Sequence, residues 1–427
     1  MTVWKGFDRM IRKIAPDDIE TLVGVLADAY PGWGLAGREE RQRLAESVQK
    51  VQNGPLERKY YGLFRDEGLI GAMRLFDFRM NLFGRLVDAG GVGLVAVDLL
   101  HKKEHAAKDL MTYFLQHYRR KKAPIALLYA FRTDFYQQMG FGQGPLMYQY
   151  KIPPERFPKG SSKSHIVRLH GDEADKQALK AYYRALVART HGLIEKTDPE
   201  VDAMFSSPKN VVWAYRDGDE VRGYLWCSFQ PESTDNALSN NIYATEFFYD
   251  SPPVLDEFCT LLNSQADQFR YVIINTQDRD FYHLFADSTN GADVTTHSVY
   301  QEAGRVGNGL MYRVLDTRQL FEDLDHHVFG SESGSIRFVV HDSFLPENDN
   351  PVTVQFQSGR IISIRDDAEA DVEVRLDVSH FSSLVMGVVP FKNLIAYGLA
   401  EVSDPNWTPA LSRMFAAIEL PRCTTEF

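Results

Sequence analysis

The segment from Gly90 to Lys108 constrains the fold more than any other part of the chain. Gly90, Gly91, Val92, Gly93, Leu94, Val95, Ala96 and Val97 form an uncharged run. His101, Lys102 and Lys103 make a cationic turn, and Ala106, Ala107, Leu110, Met111, Phe114 and Tyr118 then recur at helical spacing. The pattern predicts a buried strand, a basic turn and a helix from about Glu104 to Arg119 that packs its apolar stripe on a sheet. Pro124–Ala130 is a second apolar run, so the segment reads as a βαβ crossover. A strand that feeds a helix N-terminus is a place for phosphate, because the first-turn N–H groups lack intrahelical partners and the helix dipole favours an anion. The bland alternative is a solvated loop with two surface lysines.

Elements of an α/β unit flank this segment. Asp17–Ala29 is predicted as an amphipathic helix with Ile19, Leu22, Val25 and Leu26 on one face, and Arg38–Val51 as a more polar one. Tyr60–Phe76 reads as a hairpin turning at Arg65–Gly68, with the glycine supplying positive φ. Beyond a linker at Pro153–Ser164 the order partly repeats: a hairpin over Val211–Phe229 with a turn at Arg216–Asp219, a strand at Asn241–Phe248, a helix at Pro253–Gln268 and a strand at Tyr271–Asn275. In this second copy Tyr249–Pro253 replaces the basic turn. It offers no cations, and its prolines remove donors, so the copy is expected to be structural. From Gly309 the texture changes to an α+β domain: a strand at Met311–Leu315, a meander of strands over Ser335–Leu376, and helices at Val378–Met386, Pro390–Tyr397 and Pro409–Ala417.

With 427 residues, the chain is long enough for roughly two to four domains. A net charge of -11 argues against general nucleic-acid binding and suits a cationic ligand, although it also serves plain solubility. Cys227, Cys259 and Cys423 lack metal-ligand spacing and read as small buried residues of a reducing, cytoplasmic protein. Met1–Asp8 shows no apolar core of a signal peptide, and no run is long enough for a membrane span, so no membrane association is expected.

Val95–Val97 followed by Lys102-x-x-His105-x-Ala107 resembles the acetyl-CoA-binding segment of the GNAT acetyltransferase superfamily. There the strand's main chain pairs with the pantetheine, and the loop pattern (Arg or Gln)-x-x-Gly-x-(Gly or Ala) offers N–H groups to the pyrophosphate. Lys102 and Ala107 fit that pattern, while His105 stands at its glycine. A histidine there is expected to take helical φ, as at the second or third helical position. Phe135–Gly142 resembles the superfamily's tyrosine-bearing strand end, which implies that Tyr136 protonates the departing thiolate. The chain as a whole resembles the Eis (enhanced intracellular survival) branch. The implied fold is α/β and α+β: a catalytic GNAT domain (residues 1–152), a degenerate GNAT-like domain (160–305) and a domain like sterol carrier proteins (308–427).

The same resemblance implies acetyl-CoA as co-substrate and no metal. Cofactor contacts are expected from Val95, Ala96, Val97, Lys102, Lys103, Glu104, His105, Ala106, Ala107 and Lys108, with Phe131 and Arg132 beside them. It places the main-chain N–H of Val95 at the oxyanion and the α-carboxylate of Phe427 at the acceptor amine as general base. The tyrosine hydroxyl suits an acid, since its ordinary pKa of ~10 exceeds that of a thiol at ~8.5. An α-carboxylate at ~3.5 is a weak base in water, and apolar rings or the neighbouring Glu426 would raise it. Implied acceptors are primary amines, including aminoglycosides, polyamines and lysine-like groups, with Glu426, Asp28 and Trp33 as wall residues. A homo-oligomer, hexameric in that branch, is also implied. The rival reading is a non-enzymatic lipid or small-molecule carrier built on the C-terminal domain. The many charges of Ser335–Arg375 weigh against the apolar tunnel it needs. His326 and His327, beside Asp323 and Asp325, read as a solvated loop rather than a metal site.

Overall fold

The computed structural model describes residues 4–6, 9–55, 57–66, 68–233, 236, 238–292, 294–366 and 368–427. Part of the N-terminal segment Met1–Asp8, read above as lacking a signal peptide (Met1–Val3, Phe7, Asp8), and Glu67 of the first hairpin turn lie outside them.

The first stretch contains β1 (Trp4–Gly6), β2 (Arg9–Lys13), α1 (Ile19–Ala29), α2 (Arg38–Asn53), β3 (Arg58–Arg65), β4 (Gly68–Leu82), β5 (Arg85–Val97), α3 (Ala106–Arg120), β6 (Ile125–Tyr129), α4 (Thr133–Gln137) and β7 (Gly142–Gln143). α1 buries Ile19, Leu22, Val25 and Leu26 as its spacing requires, whereas α2 buries only Val48. The β3–β4 turn departs from expectation: the left-handed residue is Asp66 (φ 47°), not Gly68. Aspartate tolerates that region because its short polar side chain bonds locally. β4 and β5 form a second, longer hairpin, which the sequence reading did not contain. Phe83 and Gly84 (φ 50° and 95°) supply the two positive φ values of a tight turn, and the Gly84 N–H donates to Asn81 Oδ1 at 2.8 Å. Gly90 is required by close approach, since a Cβ there would lie 2.3 Å from the Tyr118 ring of α3.

The middle stretch contains β8 (Met147–Ile152), β9 (Ile166–Leu169), α5 (Glu173–Arg189), α6 (Asp198–Phe205), β10 (Asn210–Asp217), β11 (Glu220–Pro231), β12 (Asn240–Tyr249), α7 (Pro252–Asn263), β13 (Phe269–Thr276), β14 (Thr295–His297), β15 (Tyr300–Gln301) and β16 (Arg305–Gly307). Helix pair, hairpin, strand, helix and parallel strand repeat the order of the first stretch. The last stretch contains β17 (Leu310–Val314), α8 (Thr317–Asp323), β18 (Gly334–His341), β19 (Val352–Gln357), β20 (Arg360–Asp366), β21 (Val372–Asp377), α9 (Val378–Val385), α10 (Phe391–Ala396), β22 (Ala400–Val402) and α11 (Thr408–Met414).

The chain divides into two compact units. One comprises the described residues of Met1–Gly144 with Gly309–Pro421 and Glu426–Phe427; the other comprises Pro145–Asn308 with Arg422–Thr425. In the first unit a sheet runs β1-β2-β3-β4-β5-β6-β17-β7, and a smaller one runs β20-β19-β18-β21-β22. In the second unit the main sheet runs β16-β8-β13-β12-β11-β10-β9. Two strands therefore lie away from the segments expected from sequence. β8, placed before the 152 boundary, pairs with β13 of the second unit. β17, placed after the 308 boundary, pairs antiparallel with β6 in the first sheet, Leu310 facing Tyr129. The smaller sheet is also not a plain meander, because β18 pairs parallel with β21. The connection through β19 and β20 forms the neighbouring hairpin instead.

The His326–His327 loop is packed rather than solvated. His326 Nε2 lies 3.0 Å from the Phe83 carbonyl, and the His327 ring lies 4.3 Å from that of Phe83. The turn between β4 and β5 gives both rings a partner. Among the described residues, no group of His, Cys, Asp or Glu gathers to hold a metal, and no helix is long and apolar enough to cross a membrane.

Candidate active site

The site begins where β5 and β6 part. They pair in parallel only through Ala89, Gly90 and Gly91, facing Ile125, Ala126 and Leu127, although β5 runs on to Val97 and β6 to Tyr129. Beyond Gly91 the β5 main chain has no strand partner on that side, which leaves peptide groups for a ligand. A bulge adds to the divergence: the register shifts between Ala72↔Ala96 and Arg74↔Gly93, and Leu94 takes φ 51°. Val95 follows the bulge, and its carbonyl accepts a 3.2 Å hydrogen bond from the Tyr30 hydroxyl. Tyr30 stacks on half-exposed Trp33 with ring centroids 5.0 Å apart. Burial raises the Tyr30 pKa and keeps the donor protonated.

β5 ends in the basic turn. Lys102 and Lys103 are exposed, and Lys103 takes φ 67°. Glu104 accepts from Arg65 at 2.6 Å and sits 3.2 Å from His101 Nδ1; the Arg65 hydrogen bond holds its carboxyl below the usual range. His105 corrects the expectation of helical φ. It is the residue before α3, not its second or third, with φ 63° and ψ 10°, and its side chain is exposed. The left-handed geometry that glycine adopts freely is thus kept, at the steric cost of a Cβ. No side chain caps α3, so the first-turn donors at Ala106, Ala107 and Lys108 suit an anion. Lys108 lies 5.8 Å from the Phe344 ring.

Tyr136 lies on the short helix α4, not at a strand end, because Thr133–Gln137 close a helical turn before Gly140 (φ 84°). It is buried among Phe131, Phe135 and Phe141, with ring centroids at 5.7, 5.1 and 6.1 Å, and burial raises its pKa. Phe131 is itself three-quarters exposed, and Arg132 pairs with Asp134 on the surface.

Phe427 reaches the parted strands. Its ring meets Phe76, Phe78 and Tyr129 at 5.4, 4.9 and 5.1 Å. A Cβ on Gly93 would lie 2.9 Å from the Phe427 carbonyl carbon, so the residue's main-chain end abuts β5 itself. The structure thus gathers Phe427 with the Gly93–Val95 stretch of β5. Asp28 and Glu426 are exposed, and neither is shown in contact with that stretch. Two residues escaped the sequence reading. Tyr30 gave no sign of its partner across 65 residues. Arg74, whose guanidinium lies 4.6 Å from the Phe76 ring, was signalled only as a cation inside an apolar strand.

The second unit treats the corresponding place differently. Pro252 and Pro253 occupy the first turn of α7, removing donors. Past the end of β13, Gln277 Oε1 accepts from the main-chain N–H of buried Cys423 at 2.6 Å.

Comparison with known proteins accords with this geometry. Residues 10–144 match the family model described as an acetyltransferase (GNAT) domain, and residues 317–424 match a sterol carrier protein domain. None of the curated proteins matches in sequence. Solved structures share the fold. A GCN5-related N-acetyltransferase from Anabaena variabilis has a TM-score of 0.80 at 15% identity, covering 98% of this chain and 100% of its own. A GCN5-related N-acetyltransferase from Kribbella flavida scores 0.76 at 17% identity, with 98% of each chain covered. Eis1 from Mycobacterium abscessus scores 0.74 at 18% identity, covering 98% and 100%. The chain therefore carries a GNAT acetyltransferase domain and a sterol carrier protein domain, in a whole-chain fold similar to that of Eis1.

Proposed function

We propose that the protein is an acetyl-CoA-dependent N-acetyltransferase acting on primary amines of the polyamine, aminoglycoside or lysine-like type. The observation that carries this reading is the parting of β5 and β6 at Gly91, with Phe427 seated against Gly93 on the face of the sheet beside it. The residues present fit acetyl-CoA. The unpartnered edge of Val92–Val97 suits the pantetheine amides, and the left-handed loop at Lys103 and His105 with the uncapped start of α3 suits the pyrophosphate. Lys102, Lys103 and Lys108 add charge there, and Phe131 and Arg132 sit at the mouth.

Bound acetyl-CoA supplies the acetyl thioester. Phe427, through its α-carboxylate, takes the proton of the acceptor ammonium, directly or through water. The main-chain N–H of Val95 faces the developing oxyanion, and the Tyr30 bond to the Val95 carbonyl holds the next peptide of the strand, Val95–Ala96. Tyr136 holds its phenolic proton at neutral pH because burial disfavours the phenolate, and delivers it to the departing thiolate. Trp33, Asp28 and Glu426 are assigned to the acceptor side. The second GNAT-like copy is structural in this reading. The protein is placed in the cytoplasm as a homo-oligomer without nucleic-acid or membrane partners.

The test is thiol release from acetyl-CoA over a panel of polyamines and aminoglycosides. Turnover that is lost when one residue is added after Phe427, with the circular dichroism spectrum unchanged, supports the reading. Full turnover in the extended protein removes the carboxylate base. No turnover with any amine, together with co-purifying lipid, favours the carrier.

A further inference from the structure

Tyr136 stands on a helix that cannot hold itself. α4 has five residues, little more than one turn, and a helix that short has no stability of its own in water. Phe131 and Arg132, which lead into it, are exposed. The turn that leaves α4 supplies the anchor. The N–H groups of Met139 and Phe141 both donate to the Tyr136 carbonyl, at 3.0 and 3.1 Å, and the Gly140 N–H donates to the Gln137 carbonyl at 2.9 Å.

That turn is gripped from beyond the GNAT match, which ends at residue 144. Arg313 of β17 is wholly buried and donates from Nε to the Met139 carbonyl at 2.7 Å. Its Nη2 donates to both carboxylate oxygens of Asp342, at 2.7 and 2.9 Å, which fixes the plane of the guanidinium. Gly140 (φ 84°) lies close against that plane. A Cβ there would come 2.9 Å from Arg313 Cζ and Nε and 2.7 Å from Val378 Cγ1 of α9. Further along, the Ser383 hydroxyl of α9 donates to the Gln143 carbonyl at 2.9 Å. Two hydrogen bonds therefore link the guanidinium to the main chain of Tyr136, one from Arg313 to Met139 and one from Met139 to Tyr136.

We infer that Arg313, oriented by Asp342, is a positioning residue for Tyr136; this rests on the reading of Tyr136 as the general acid. The chain beyond the GNAT match then sets the acid as well as supplying the terminal carboxylate. Arg313 acts through the Met139 carbonyl. Without the Nε–H, that buried carbonyl loses its donor, the turn shifts toward another, and the phenol moves with it. A displacement on the order of 1 Å is enough to cost rate.

The test is steady-state kinetics of the full chain with acetyl-CoA and an amine that turns over. Arg313→Met is combined with Asp342→Leu, so that no charge is left alone in the interior. The double variant is expected to lose about tenfold or more in kcat, with the acetyl-CoA KM within about twofold of the parent. In a Tyr136→Phe background the same two substitutions should change kcat by less than about twofold, because effects exerted through one group do not add. Arg313→Lys is the second variant, should the double one fail to fold. It keeps a cation for Asp342 but has carbon where Nε stood, and it should lose kcat in the same way. A kcat within about twofold of the parent in either folded variant, or an equal fall in the Tyr136→Phe background, overturns the inference. Parent-like kcat in Tyr136→Phe alone overturns the acid assignment instead.

Discussion

The guanidinium of Arg313 and the carboxylate of Asp342 are joined by two hydrogen bonds of 2.7 and 2.9 Å, and neither side chain exposes any surface. The pair is fully committed. Arg313 also donates to the carbonyls of Met139 and Val314, each at 2.7 Å, and Asp342 accepts from the Leu345 N–H at 2.8 Å and from Asn348 at 3.0 Å. The Met139 carbonyl belongs to the turn that follows Tyr136 on α4. Breaking such a pair strands a charge in the interior, whereas replacing both members can be nearly neutral. Asp342→Leu is expected to lose about 3–5 kcal/mol in urea unfolding. Adding Arg313→Met should restore much of it, and a double variant no more stable than the single one would show that the pair is not the source.

Gly93→Ala places a methyl group against the main chain of Phe427, which cannot rotate away as a side chain would. A misplaced reacting group costs on the order of 10²-fold in rate. Steady-state kinetics should show a fall in kcat of that order with the melting temperature nearly unchanged. An unaltered kcat would mean that Phe427 takes no part in the chemistry.

Tyr136→Phe keeps the ring among Phe131, Phe135 and Phe141 and removes only the hydroxyl. It is expected to lower kcat by about 10²-fold or more, within the usual span for a lost general acid, with little change in acetyl-CoA affinity. Measuring both constants separates the acid role from packing, since a packing defect would weaken cofactor binding as well.

His117 and His327 are both neutral in the fold, with pKa values brought down to about 4 from 6.5 chiefly by burial. A depressed folded pKa means that the unfolded chain binds more protons between the two values, so stability falls as pH falls from 6.5 toward 4 and is full above 6.5. Urea midpoints should decline across that window. His117→Phe and His327→Phe should each flatten the decline, and an unchanged slope in both variants would refute the linkage.

Residues 1–144 alone lack β17, so β6 presents an unpaired edge and the Met139 carbonyl loses Arg313. This fragment is expected to be insoluble or to lack a cooperative melting transition, despite spanning the whole GNAT match at 10–144. A well-dispersed NMR spectrum of the fragment would contradict that.

The sequence disclosed the strand–turn–helix core, since an apolar run, a cationic turn and a 3.6-residue stripe are local patterns. The repeated hairpins were legible for the same reason. α5 went unread, although Leu179, Tyr182, Tyr183, Leu186 and Val187 stand at helical spacing. What escaped was non-local or conformational. Nothing in the residues around Met311 indicates that its strand inserts beside β6, because a buried strand reads alike in any sheet. The left-handed φ of His105 contradicts the residue's own preference and is imposed by the turn. Tyr30 gave no sign of its bond to Val95, since a hydroxyl's distant acceptor leaves no pattern.

The place of β17 in the first sheet has a consequence in time. During synthesis β6 leaves the ribosome first, and Leu310 follows only after all of Pro145–Asn308. At about 5–20 residues per second, the nascent chain carries an exposed strand edge for on the order of ten to thirty seconds. Such an edge invites wrong partners, including the strands of the same polysome's other chains. Chaperone demand should therefore be greatest while the middle stretch is being made, and should fall once β17 closes the gap.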